Sequence, residues 1–399
     1  MANPTLDELH LAEKQQRTRL EGLRARLYAQ PALAQEAAFS TQLLAAEEAY
    51  RRLEEARLNA EAQAAQGVLM QVKPPPNSQF LGPGTTCIDA TVLLRQSHVP
   101  LGVVHLLEAE KNPLVSFRIR YLGDVYTRVR VSSFVEEYSA KAITTVELDR
   151  DNPEREIKHL PTFFPERIRT VAEITRATLH IQIDDLDKTT EQENTFPIWL
   201  LARTSAYLWV TDPANKQRID LTHLMGAWVT PNAEEVLLRL RRAADFHPEK
   251  KIIGYQGDAE EVEAQVKAIY EALQEQQIQY VNSTLCLGAS RGERMQRIRL
   301  PREALETKSA NCIDGTVLMA SLLEAASLNP AIVLLPGHAL LGWERAEGSS
   351  NWDYLETTMI STSSFEEARQ AGQLQVRNRA ARLLPLSELR LIFGVTPME

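Results

Sequence analysis

The chain has 399 residues, 44% of them hydrophobic, with a net charge of −9; this allows two or three domains with real cores and removes the usual electrostatic reason to expect nucleic acid. Three cysteines are too few for a disulfide framework, and their odd number points to a reducing, cytoplasmic setting. The N-terminus, Met1-Ala2-Asn3-Pro4-Thr5-Leu6-Asp7-Glu8, lacks the basic and apolar regions of a signal peptide, and no apolar run approaches the length of a membrane span.

Residues 1–73 are expected to form a helical hairpin or coiled coil. Leu6, Leu9, Leu20, Leu23 and Leu27 share one heptad register, interrupted by Glu13 and Gln16, and Phe39, Leu43, Ala46, Tyr50 and Leu53 alternate spacings of four and three. Pro31 lies between the two patterns, where it can open the second helix. Stripes this narrow need a cover. It can be the partner helix and the body of the same chain, or another protein or second copy docked on residues 5–66. Pro74-Pro75-Pro76-Asn77-Ser78 then reads as a stiff linker.

Residues 77–230 change to period-two alternation. Strands are expected at 116–121, 126–131, 142–148, 177–183 and 206–210, separated by turn signals such as Leu122-Gly123-Asp124 and Asp151-Asn152-Pro153. The pattern points to an antiparallel, immunoglobulin-like β-sandwich. Arg118, Arg120, Arg128 and Arg130 fall on the outward phase and read as a solvated face. Cys87 opens the run Thr86-Cys87-Ile88-Asp89 as the entry to the first strand.

Residues 231–399 form a third region. Helices are expected at 233–245, with Val236, Leu237 and Leu240 inward, and at 258–277, with a stripe of Val262, Val266, Ile269 and Leu273. Cys286 reads as a buried hydrophobe. An apolar helical run (Val317, Leu318, Ser321, Leu322, Ala325) follows Asn311-Cys312-Ile313-Asp314 at once. Then come a strand at 331–335, Pro336-Gly337-His338, a strand at 352–358, a polar helix near 364–371 and a short strand or helix within 383–393.

Chemistry concentrates in that last stretch. A thiol in the first turn of a helix meets unpaired backbone N–H groups and the positive end of the helix dipole, which favour the reactive thiolate. An imidazole can keep it ionised and later protonate a leaving amine. A carboxylate behind the ring would fix its tautomer. Glu356 and Asp353 compete for that place; three residues apart on a strand, they point to opposite faces. Gln296 is a candidate side-chain donor to an oxyanion, or an ordinary packing glutamine. Asp314 reads as a structural charge in the first helical turn, and Trp343 as core or a wall of the site. Histidines are scattered without metal-ligand spacing, and no phosphate loop is present, so neither metal nor cofactor is expected.

The segment Asn311-Cys312-Ile313-Asp314-Gly315-Thr316, the later Gly337-His338-Ala339, the Trp352 that leads by four residues to Glu356-Thr357, and the upstream Gln296-Arg297-Ile298-Arg299-Leu300-Pro301 together resemble bacterial transglutaminase-like cysteine enzymes, which have a papain-like fold. The resemblance covers roughly residues 258–360 of the C-terminal region. Glu356 stands where aspartate is usual. The resemblance implies a transglutaminase-like α+β domain and a Cys312, His338, Glu356 triad. Its acyl-enzyme would work on a protein or peptide amide, as a thiol protease or deamidase, or as a transglutaminase, in a bacterial signalling or defence system. The competing expectation is a catalytically inert scaffold that works through the coiled coil and the sandwich, with no nucleic-acid or membrane partner in either case.

Overall fold

A computed structural model describes residues 6–29, 37–46, 48–50, 52–53, 56, 78–80, 88–123, 125–187, 190–211, 218–282 and 293–398. The chain is mixed α+β, with several sheets that are mainly antiparallel. It divides into two compact units, one within 68–206 and one that joins the described residues of 1–67 to those of 207–398. Cys87, Cys286, Pro31 and the triple-proline linker lie outside the described residues.

The first unit holds two sheets. One orders Ser78–Phe80, Ile88–Leu94, Val115–Tyr121 and Glu154–His159, all antiparallel. The other orders His98–Pro100, Thr190–Leu201, Thr175–Asp185, Thr127–Val135 and Ala142–Leu148, and only its first pair is parallel. Alternation explains the packing: Phe117, Ile119 and Tyr121 point inward and join Val129, Val131, Leu179 and Ile181 in one core. Arg118, Arg120, Arg128 and Arg130 are exposed, as the alternation predicts. Carboxylates partner three of them: Asp89 at 3.5 Å from Arg120, Asp187 at 2.8 Å from Arg128 and Asp184 at 2.7 Å from Arg130.

The strand expected at 206–210 forms as Ser205–Thr211, but it pairs with Arg218–Asp220 and Glu293–Arg297 in a separate sheet. The break between units therefore falls after Ala206 rather than near 230. Alternation reveals that a strand exists; it does not reveal which neighbour it pairs with.

In the second unit, helix Leu6–Ala29 and the helical residues 37–46 cover one another. Leu20, Leu23, Phe39, Leu43 and Ala46 make a buried cluster that also packs on Leu374 of a later helix. These five residues of the two stripes are thus covered within the chain. Helix Glu234–Ala243 buries Val236 and Ala243, whereas Leu237, expected inward, is 46% exposed. The inward line runs 236, 240, 243, with Leu240 half-buried, and Leu237 lies about 100° around the helix from Val236. Helix Ala259–Glu275 buries its whole predicted stripe.

The C-terminal part is built on an antiparallel sheet ordered Trp352–Leu355, His338–Glu344, Pro330–Leu335 and Arg382–Pro385. Helix Cys312–Ala325 lies against it and against three other helices, so every residue from Ile313 to Leu323 is buried. That is why its sequence is apolar all round. The helix expected near 364–371 runs from Phe365 to Asn378. Gly372 sits at its closest approach to the sheet: a Cβ there would come within 2.7 Å of the Tyr354 and Leu355 backbone. No helix among the described residues is long and apolar enough to cross a membrane.

Candidate active site

Cys312 is the first residue of its helix and is partly exposed. Asn311 caps that helix, its side chain accepting from the Asp314 N–H at 2.9 Å while Asp314 accepts from the Asn311 N–H at 3.1 Å. This reciprocal pair satisfies two N–H groups of the first turn. Asp314 is 1% exposed and also accepts from the Arg299 N–H at 2.8 Å, which ties the segment around 299 to the Cys312 turn. Burial outweighs these hydrogen bonds and raises its pKa above the usual carboxylate value. Its role is to build the helix start.

His338 follows a two-residue turn, Pro336-Gly337, that closes the hairpin between the paired residues Leu335 and His338. Gly337 has φ 67°, a left-handed conformation that glycine adopts without steric cost. The turn aims the imidazole at both neighbours. Its Nε2 lies 2.7 Å from Glu356 Oε2, and the Cys312 side chain is near enough to help raise the ring's pKa. With Nε2 engaged by the carboxylate, Nδ1 is the nitrogen left for the sulfur. Burial disfavours the imidazolium, but the Glu356 charge and the hydrogen bonds to Cys312 and Glu356 prevail and raise the ring's pKa to about 9.

The strand bearing the acid ends at Leu355, and Glu356 caps the following 3₁₀ turn. Its carboxylate is fully buried. Oε1 accepts from the Thr358 N–H at 3.0 Å and the Thr358 hydroxyl at 2.6 Å. Oε2 accepts from His338 and from the Gln375 amide. Burial alone would raise the Glu356 pKa; the His338 charge and the hydrogen bonds from His338 and Thr358 pull it below the ordinary value. Asp353 faces the other way, accepting from Arg369 Nε at 2.8 Å and Gln373 Nε2 at 2.6 Å. Glu356, and not Asp353, is the carboxylate on His338.

Gln296 occupies strand Glu293–Arg297, and its side-chain amide donates to the Arg297 carbonyl at 3.0 Å. Trp343 is buried core, stacked obliquely on Phe365.

Three nearby residues were missed by the sequence reading. Tyr280 belongs to a two-residue strand paired in parallel with Ser309–Ala310, the residues that lead into Asn311 and Cys312. Burial and the charges of Cys312 and Glu356 raise its phenol pKa, so the group stays protonated. Gln375 and Arg379 lie behind Glu356: Arg379 donates to Gln375 Oε1 at 2.6 Å and to the Pro336 carbonyl at 2.7 Å. A signal for them was present. Phe365, Ala368 and Gly372 form the buried face of their helix, and Gln375 and Arg379 continue that spacing. Polar residues on a buried phase are informative.

Among the described residues no three His, Cys, Asp or Glu side chains are grouped to hold a metal ion. No protein-family model matches the chain, and no curated protein matches it.

Proposed function

We propose that the unit containing Cys312 is a cysteine-dependent enzyme of the transglutaminase-like type, acting on protein or peptide amides. The observation that carries this reading is the 2.7 Å hydrogen bond from His338 to a buried, ionised Glu356, on a ring whose pKa the neighbouring Cys312 side chain helps to raise. A ring whose pKa is raised to about 9 carries, across the neutral range, the proton that a leaving amine needs.

The thiolate attacks the amide carbonyl carbon, and the carbonyl π pair moves onto oxygen. The first-turn N–H of Cys312, which has no acceptor inside its own helix, stabilises that oxyanion. The protonated phenol of Tyr280, whose strand pairs with the residues leading into Cys312, is a side-chain candidate for a second donor. As the tetrahedral adduct collapses, His338 gives its proton to the departing amine and Glu356 stabilises the imidazolium until then. His338 next accepts a proton from the molecule that resolves the thioester. Water gives hydrolysis, as in a protease or deamidase; an amine gives transamidation. Hydrolysis is the primary reading, because water needs no second docking site.

For the other unit we infer an immunoglobulin-like sandwich. The support is strand order: Ile88–Leu94 in one sheet is followed by His98–Pro100 in the other, parallel to the last strand Thr190–Leu201, in an otherwise antiparallel pair of sheets around one core. Such a module would present partners or substrate in a bacterial signalling or defence setting.

The test is incubation of full-length protein with a protein mixture, with and without methylamine, followed by peptide-resolved mass spectrometry. New termini or glutamine-to-glutamate conversion mark hydrolysis, and methylamide products mark transamidation. All should vanish in Cys312→Ala. Products that persist in that variant would overturn the assignment.

A further inference from the structure

Resting on the reading of Cys312 and His338 as the reacting pair, we propose that Gln375 and Arg379 are positioning residues that hold the Glu356 carboxylate ionised and oriented behind the imidazole. Glu356 is fully buried, where an ionised carboxylate persists only with donors around it. Thr358 supplies two donors to one oxygen, and His338 supplies one to the other. The Gln375 amide completes the second oxygen.

A glutamine amide can present either its NH₂ or its carbonyl oxygen, and only the NH₂ can help a carboxylate. Arg379 removes the ambiguity. Its guanidinium has donors only, so the amide oxygen must face Arg379 and the NH₂ must face Glu356. This holds whichever way the amide nitrogen and oxygen are assigned, because the arginine cannot accept and the ionised carboxylate cannot donate. The same guanidinium donates to the Pro336 carbonyl, in the turn that launches His338. One buried cation, 6% exposed, therefore anchors both the base's turn and the acid's amide partner. The helix that carries Gln375 and ends just before Arg379 is locked to the acid's strand in three ways: the Glu356 N–H donates to the Ala368 carbonyl at 3.0 Å, Arg369 and Gln373 grip Asp353, and Gly372 permits backbone contact.

The sign of the effect follows from the donor count. Removing a donor from a buried carboxylate raises its pKa, so Glu356 should protonate at higher pH and the acid-side loss of Cys312 reactivity should move upward. The experiment is carbamidomethylation of Cys312 by iodoacetamide as a function of pH, read by peptide mass spectrometry on full-length wild type, His338→Ala, Gln375→Leu, Gln375→Glu, Arg379→Met and Arg379→Lys. Thermal unfolding of each is recorded alongside.

Gln375→Leu should shift the acid limb up by about one unit. Gln375→Glu, nearly the same size, places a second carboxylate against Glu356 and should shift it further. Arg379→Met should shift it in the same direction, and Arg379→Lys should recover part of the wild-type profile. A merely structural pair would lower the unfolding temperature without moving the limb; that outcome in Gln375→Leu or Arg379→Met, whichever folds, overturns the proposal. If wild type and His338→Ala already alkylate alike, the underlying reading of the reacting pair fails instead. If they differ and the Gln375 and Arg379 variants superimpose on wild type, only the positioning role fails.

Discussion

At the residue scale, two carboxylates three positions apart have been assigned different work by their neighbours. Glu356 faces His338, and Asp353 faces Arg369 and Gln373. Glu356→Gln should lower amide turnover by about 10²–10⁴-fold, because a neutral side chain no longer stabilises the imidazolium. Asp353→Asn should retain most turnover and lose stability instead, by about 1–3 kcal/mol, because it weakens charge-assisted bonds to Arg369. Steady-state rates and urea unfolding of both variants check this. The raised pKa of His338 sets a second expectation. Above about pH 9 the ring loses the proton that the leaving amine needs, so turnover falls, while iodoacetamide still alkylates the thiolate. Stability follows the same group. The folded ring titrates near 9 against 6.5 for the ordinary value, so its stabilisation is complete below about pH 6.5 and is lost as pH rises through about 9. Cys312 and His338 were legible from residue type and order. The choice of Glu356 came only from the resemblance, since the reading of the strand left both acids open. Gln375 and Arg379 were not singled out because a polar helix end is usually solvent-facing; their burial shows only when the helix is followed past residue 371 onto its apolar phase.

At the scale of elements, the site depends on close approach. The helix Phe365–Asn378 lies so near the strand Trp352–Leu355 that a Cβ at residue 372 would overlap backbone atoms, which cannot move aside as a flexible side chain can. Gly372→Ala should therefore cost about 1–3 kcal/mol or more, by a shift in the urea midpoint, and should reduce turnover by separating Gln375 from Glu356. Asn311→Ala removes a helix cap and should cost about 1 kcal/mol by the same measurement. Strand and helix positions in this region were largely legible because apolar alternation, Pro-Gly and the capping residue are local signals. The partner of strand Ser205–Thr211 and the outward turn of Leu237 were not, because pairing and packing are decided by residues distant in sequence.

At the scale of the whole molecule, the N-terminal helices belong to the same compact unit as Cys312, through contact of their apolar cluster with Leu374. Sequence alone left a cis hairpin and a self-association surface equally open, since a narrow apolar stripe shows only that some cover is required. Leu43 is fully buried in that cluster, so Leu43→Ala should cost about 2–5 kcal/mol of local stability. Amide hydrogen exchange should then quicken in residues 6–46 and along 365–378. Unchanged protection of 365–378 would mean that the two parts do not support each other. The central claim, that Cys312 and His338 form one charged pair, is tested most directly by the rate of Cys312 alkylation with iodoacetamide at pH 6, resolved from the other cysteines by peptide mass. At that pH an ordinary thiol is almost entirely protonated. The account predicts rapid labelling in the wild type and a fall of about 100-fold in His338→Ala. Equal rates in the two proteins would contradict it.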